Sequence, residues 1–460
     1  MALYTEAVRG GRTLLRLLCA GLVGVGVGAL RPSGAGEVVE ASLDNGLRVL
    51  LEEDHRSPVV ALQIWYGVGS RNETLGRSGL SHFLEHMMFK GTPRYGPRAY
   101  SRAIEGLGGQ DNAFTGRDAT TFHVTLVADR IDLVLDLEAD RMRNLRLDPK
   151  ELESERQVVM EERRTRTEDD PVGALAEEFA RVAFTSHPYR IPTIGLMEDI
   201  ERLTVADLRG WYDTYYWPNN ALLIAVGDFR AADMLAKVRA RFGPIPRGPA
   251  PPPVTAVEPE QHGERRVTVK KEAQLPVVYV GYPVPNHRSP DAYPLEVLST
   301  LLSTGRASRL YERLVYGARL ALDAGGDYSH LSADPDVFTF YVTVLPEKPL
   351  GEAERALATE IERLRAELPA EEELRRAKNQ IEASYLFGQD SLYTRASTLG
   401  RYERAGGWRM RDEYLTRVRA VTREDIQRVA QRYFVDDHKT TAILVPVRPR
   451  AGRPVVRGAP

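Results

Sequence analysis

Gly79-Leu80-Ser81-His82-Phe83-Leu84-Glu85-His86-Met87-Met88-Phe89 reads as a helix that carries two imidazoles and a carboxylate among apolar side chains. His82 and His86 are four residues apart, so both project from one helix face at a separation that suits a single ion. Glu85 stands beside them. Zinc takes histidine nitrogens in a tetrahedral shell and, in catalytic sites, keeps a position for water whose pKa falls to about 7. A neighbouring carboxylate can then take that water's proton. An amphipathic helix with two surface histidines has the same spacing, but the flanks argue against it. Leu80, Phe83, Leu84, Met87, Met88 and Phe89 set the polar trio in a low-dielectric wall. Buried imidazole and carboxylate must be paired or metal-bound.

The rest of the chain sets limits. Its 460 residues are too many for one ordinary core, and 62 basic against 64 acidic side chains, a net charge of −2, give no reason to expect a nucleic-acid partner. The N-terminus has a different character. Arg9, Arg12 and Arg16 precede an apolar run from Leu17 to Leu30, followed by Pro32-Ser33-Gly34-Ala35. Residues 1–35 therefore read as a signal peptide cleaved after Ala35, with export to the periplasm expected and an uncleaved membrane anchor as the alternative. The single cysteine, Cys19, lies inside that segment, behind a Leu18 too large for lipoprotein processing. The mature chain then has no disulfide and no thiol nucleophile.

From Glu37 the pattern becomes strand, turn, strand: Val38 to Leu43, an Asp44-Asn45-Gly46 turn, Leu47 to Glu52, then Pro58 to Val68. Tyr100 to Leu107 reads as a short helix, Gly108 to Thr115 and Thr120 to Val127 as paired strands, and Ile131 to Arg143 and Pro149 to Arg166 as helices. Near Phe242 regularity stops, and Pro244, Pro246, Pro249, Pro251, Pro252 and Pro253 mark an extended linker. Shifting the sequence by 218 residues superimposes Pro58-Val59-Val60 on Pro276-Val277-Val278, and Phe122-His123-Val124-Thr125 on Phe340-Tyr341-Val342-Thr343. His82, Glu85 and His86 fall on Thr300, Ser303 and Thr304. The expectation is an α+β chain of two homologous αβ domains, each a mostly antiparallel sheet packed with helices. Residues 37–243 hold the metal site, 244–262 form the linker, and 263–450 form a homologous domain without metal ligands.

A catalytic zinc usually takes three protein ligands. On the helix from Pro149, Glu155, Val158, Val159 and Glu162 form one stripe that mixes two valines with two carboxylates. Gln157, Glu161, Arg164 and Thr165 form an ordinary solvated face. Glu155 and Glu162 are thus the acids that need a reason. At this point the residues resemble those of the inverzincin peptidases, the family of pitrilysin, insulin-degrading enzyme and mitochondrial processing peptidase. The resemblance rests on the His82-to-Thr92 run HFLEHMMFKGT, Asn112-Ala113-Phe114-Thr115, Glu155 through Glu162, His187-Pro188-Tyr189, and the run Tyr215 to Asp228. It covers nearly all of the mature sequence and points to the short, two-domain bacterial type.

That resemblance implies one zinc ion per chain held by His82, His86 and Glu162. Glu85 would act as general base and Glu155 would orient the site. Asn112, Ala113 and Phe114 would lie on an edge strand that pairs with an extended peptide. The expected activity is zinc-dependent hydrolysis of unfolded or short peptides. The alternative is a noncatalytic, peptide-binding scaffold subunit with a structural zinc. His55, His123, His187, His262, His287, His330 and His438 read as structural or surface residues. One departure bears on partners. Active relatives carry an arginine and, seven residues later, a tyrosine after a segment like Ser308-Arg309-Leu310-Tyr311; here those positions hold Val315 and Leu322, which donate no side-chain hydrogen bond. A shifted alignment would recruit Arg313, Tyr316 or Arg319, though neither arginine has a tyrosine seven residues on. A heterodimer with a paralogous chain bearing that pair is therefore expected, a homodimer being the alternative.

Overall fold

A computed structural model describes residues 36–447. The expected signal segment and residues 448–450 lie outside them. Strands β1 (Val38–Ser42) and β2 (Arg48–Glu53) form a hairpin whose turn is closed by Asn45, its Oδ1 accepting the Leu47 N–H at 3.1 Å. With β3 (Val59–Tyr66), β4 (Gln110–Thr115), β5 (Thr120–Val127) and β6 (Ala221–Gly227) they make a six-stranded sheet in the order β1-β2-β6-β3-β5-β4. Strands β7 (Arg265–Glu272), β8 (Val277–Val284), β9 (Ala321–Asp327), β10 (Asp336–Val344) and β11 (Thr440–Val447) make a second sheet in the order β7-β11-β8-β10-β9.

The two sheets repeat one topology. In each, the first strand of the shared set runs parallel to the last (β2 with β6, β7 with β11), and every other neighbour is antiparallel. One face of the first sheet carries Val60, Leu62, Ile64, Phe122 and Val124, and packs on helices α1 (Leu80–Met87), α2 (Ala99–Glu105), α3 (Ile131–Arg143) and α4 (Pro149–Arg163). Between residues 244 and 264 there is no helix or strand.

The other faces are covered reciprocally. Leu50, Trp65, Leu222, Ile224 and Val226 of the first sheet pack against Ala396 and Leu399, on a helix of the second half, Leu392–Ala405. Val277, Tyr279, Ala442 and Leu444 of the second sheet pack against Leu175 and Phe179 of α5 (Pro171–Ala183), from the first half. Each half therefore lends a helix to the other's core. A buried ion cluster fastens one of these helices: Arg395, almost inaccessible to solvent, meets Glu52 and Asp54 of the first sheet.

Candidate metal centre

Helix α1 begins at Gly79, whose φ of +86° suits glycine; a Cβ there would lie 2.7 Å from the carbonyl oxygen of Ile194. Its first-turn N–H groups are met by the buried carboxylate of Glu73, which accepts from Gly79 and from Ser81, each at 2.7 Å. Burial pushes Glu73 up to about 7 in spite of these hydrogen bonds. The helix is thereby held at its start, and its apolar residues Leu80, Phe83, Leu84 and Met87 are buried in the first core.

Helix α4 starts with Asp148 accepting the Lys150 N–H at 2.9 Å and with Pro149 in its first turn. It runs to Arg163 and then widens into a π-helical turn, Arg164–Glu168, where a plain helix to Arg166 was expected. Leu152, Glu155, Val159, Met160 and Arg163 are its buried residues. Val158 is not on that face as expected, being 50% exposed. At 3.6 residues per turn the buried face centres between Val159 and Arg163, which leaves Val158 about 120° away. Glu155 and Glu162 stand at the rim of the buried face, where a carboxylate can reach a neighbouring helix.

There they meet α1. The Glu162 carboxylate lies 3.3 Å from His86 Nε2 and 3.6 Å from His82 Nε2. One donor atom from each of His82, His86 and Glu162 lies within 4.8 Å of the others, and no other such trio of His, Cys, Asp or Glu occurs among the described residues. Tetrahedral zinc with bonds of about 2.0–2.1 Å separates its donors by about 3.3–3.4 Å, so the donor set and its spacing fit that ion. His86 Nδ1–H donates to Glu155 Oε1 at 2.8 Å, which turns Nε2 toward Glu162 as the atom that would meet an ion. Lys90 pairs with the other oxygen of Glu155. Nδ1 of His82 is buried with no hydrogen-bond partner among the described residues.

Burial and hydrogen bonds shift these groups differently. Burial pushes His82 down to about 4. Burial acts in the same direction on His86, but its hydrogen bonds to Glu155 and Glu162 outweigh it and push the ring up to about 9. Burial raises Glu85 above the ordinary carboxylate range, although Thr115 Oγ1 donates to its Oε2 at 2.5 Å. Thr115 ends β4, so the strand's end touches the expected general base.

Of the expected peptide-binding residues, all three lie on β4, which pairs on one side only, with β5. Ala113 faces the α1 side, and Phe114 faces away, its ring 5.6 Å from that of Trp65. Val315 is half-buried in a π-helical turn, Tyr311–Gly317, and Leu322 is 57% exposed on the edge strand β9. The remaining histidines stay apart from the trio: His187 is buried against Asp334 at 3.1 Å, and His123 packs on Tyr393. The motif reading passed over Glu73, Lys90 and Thr115. Lys90 and Thr115 lie inside its matched segments, but their partners are remote in sequence and leave no periodic trace.

Both halves of the chain match known families. Residues 48–195 match the family model "Insulinase (Peptidase family M16)", and residues 202–381 match "Peptidase M16 inactive domain". The chain is 32% identical over 409 residues to zinc protease PqqE of Helicobacter pylori, covering 88% of this chain and 92% of that protein. It is 29% identical over 407 residues to the uncharacterized zinc protease YmxG of Bacillus subtilis, covering 87% and 96%. The crystal structure of a protease from Helicobacter pylori superimposes with a TM-score of 0.86 at 31% identity, covering 90% of this chain and all of that one. The periplasmic protease PqqL of Escherichia coli shares the fold, with a TM-score of 0.75 at 20% identity; this chain covers 49% of it. Such names support a peptidase-type function. At that identity and coverage, the chain belongs to peptidase family M16, the inverzincin family its metal helix resembles.

Proposed function

We propose that this chain is a zinc-dependent endopeptidase or oligopeptidase acting on unfolded or short peptides. The observation that carries the reading is the convergence of His82, His86 and Glu162 with Glu85 beside them on α1. In this reading His82, His86 and Glu162 hold the ion, and Glu155 orients His86. A bound zinc ion supplies Lewis acidity, lowering the pKa of water to about 7 and polarising a carbonyl. Glu85 accepts the proton of the attacking water and delivers it to the leaving amine. Thr115 holds the Glu85 carboxylate for that transfer. The free edge of β4 at Asn112, Ala113 and Phe114 takes the peptide as an added strand, whose extended backbone is also what makes it cleavable.

The exported, periplasmic location belongs to the same proposal, as does a partner. Val315 and Leu322 leave this chain without the arginine and tyrosine of active relatives, so a related chain supplies them in a heterodimer. The test is digestion of a peptide library by the zinc-loaded chain, alone and mixed with such a paralogue, with cleavage sites mapped by mass spectrometry. Cleavage that needs the mixture is expected. Full activity from the chain alone removes the partner requirement; no cleavage in either arm, with zinc bound, leaves the scaffold reading instead. N-terminal sequencing of protein recovered from cells should begin near Gly36, and a start at Met1 or Ala2 contradicts the cleaved signal.

A further inference from the structure

Glu155 is a nearly buried carboxylate held at both oxygens. Oε1 accepts the Nδ1–H of His86 at 2.8 Å, and Oε2 meets the Lys90 ammonium. The Lys90 side chain is only 14% exposed, and its backbone N–H is tied to the Met87 carbonyl at 2.9 Å, in the turn that ends α1. Among the described residues Lys90 pairs with no other acid, and Glu155 with no other lysine or arginine. One hydrogen bond on a side chain with three rotatable bonds fixes a distance but leaves the carboxylate plane free to turn. A second anchor on the other oxygen fixes the plane, and with it the direction from which His86 is held. Lysine suits this place because its ammonium is a compact point charge that takes one oxygen, whereas the guanidinium fork of arginine tends to take both.

We propose that Lys90 is a positioning residue for the metal centre: it clamps Glu155, and Glu155 in turn aims the Nε2 atom of His86 at the site shared with His82 and Glu162. The proposal rests on reading that site as a zinc centre. Its test is zinc binding by the metal-stripped full chain, titrated with Zn2+ in competition with a chromophoric chelator. The proteins compared are wild type, K90M, K90Q, E155Q and the double variant K90M/E155Q. Loss of a group that orients a ligand typically weakens metal affinity by about 10–100-fold. K90M and E155Q should each fall by about tenfold or more, and the double variant should bind no more weakly than E155Q alone. K90Q carries the same comparison should K90M fail to fold. Wild-type affinity in K90M or K90Q, or losses that multiply in the double variant, overturns the proposal, because a lysine that merely supports the fold would add its effect to that of Glu155. Absence of zinc binding by the wild type instead overturns the zinc reading itself.

Discussion

Glu85 and Glu162 are both acids beside His86, and burial raises both, yet their partners leave them shifted in opposite directions. Glu162 is lowered in spite of burial, because the hydrogen bond from His86 and nearby positive charge, Arg166 included, outweigh it, whereas Glu85 is raised by burial. The first suits a ligand, the second a group that exchanges protons. Glu85→Gln should therefore keep its zinc, measured by elemental analysis, and lose about 10²–10⁴-fold in kcat, the usual worth of a positioned acid-base group. Metal content that falls together with activity contradicts that division. Glu162→Ala should lower zinc occupancy and Glu161→Ala should not, since Glu161 is exposed and, among the described residues, pairs only with Arg164. At this scale the spacing His82-x-x-Glu85-His86 was legible because a helix converts sequence separation directly into direction. The face of α4 was legible only in part. Periodicity put Val158 inward because a valine looks like core, but its neighbours Leu152, Met160 and Arg163 pull the buried face the other way.

The helix Leu392–Ala405 is the element that ties the second half to the first sheet, and Arg395 is its fixed point. Arg395 pairs with Glu52 and Asp54 in a place nearly closed to water, and Arg56 pairs with Asp54 from the rim. Removing one member of a buried ion cluster leaves the others uncompensated and costs about 3–5 kcal/mol. Arg395→Ala should lose stability of that order in urea unfolding; a loss within about 0.5 kcal/mol, the range of ordinary surface changes, contradicts it. The cluster also sets an acid limb. The hydrogen bonds of Arg56 to Asp54 outweigh burial, and Arg395 adds to them, so the folded-state pKa lies well below the ordinary value. Stability from Asp54 is then fully present above the unfolded value of about 3.9 and is lost as pH falls below it toward the folded one. Urea midpoints between about pH 5 and pH 2.5 should fall more steeply for wild type than for Asp54→Asn, and parallel curves would show that Asp54 does not set the limb. None of this was legible in the sequence. The 218-residue shift exposed the repeated sheet because strands and their spacing recur, but an apolar helix face does not say whose sheet it covers.

On the scale of the whole molecule, the proline-rich stretch 244–262 marks a break in regular structure, and the core does not break with it. A cut there strips the helix Leu392–Ala405 from Leu50, Trp65, Leu222, Ile224 and Val226, and strips α5 from the second sheet. Burying a large apolar side chain is worth about 1.5–3 kcal/mol, so five of them carry about as much as the whole 5–15 kcal/mol of an ordinary domain. Residues 36–243 produced alone should therefore expose that face, bind a hydrophobic dye such as ANS and unfold without a sharp transition. The fragment 264–447 should behave likewise, because β7, β8 and β11 lose α5. Produced together, the two fragments should form a soluble 1:1 complex with a single cooperative transition, each returning the helix the other lacks. The measurement is size-exclusion chromatography with light scattering, followed by thermal unfolding. A monomeric 36–243 fragment that unfolds cooperatively and leaves the dye dark would mean that the exchanged helices cover the sheets without being needed to fold them, and that the linker divides the protein after all.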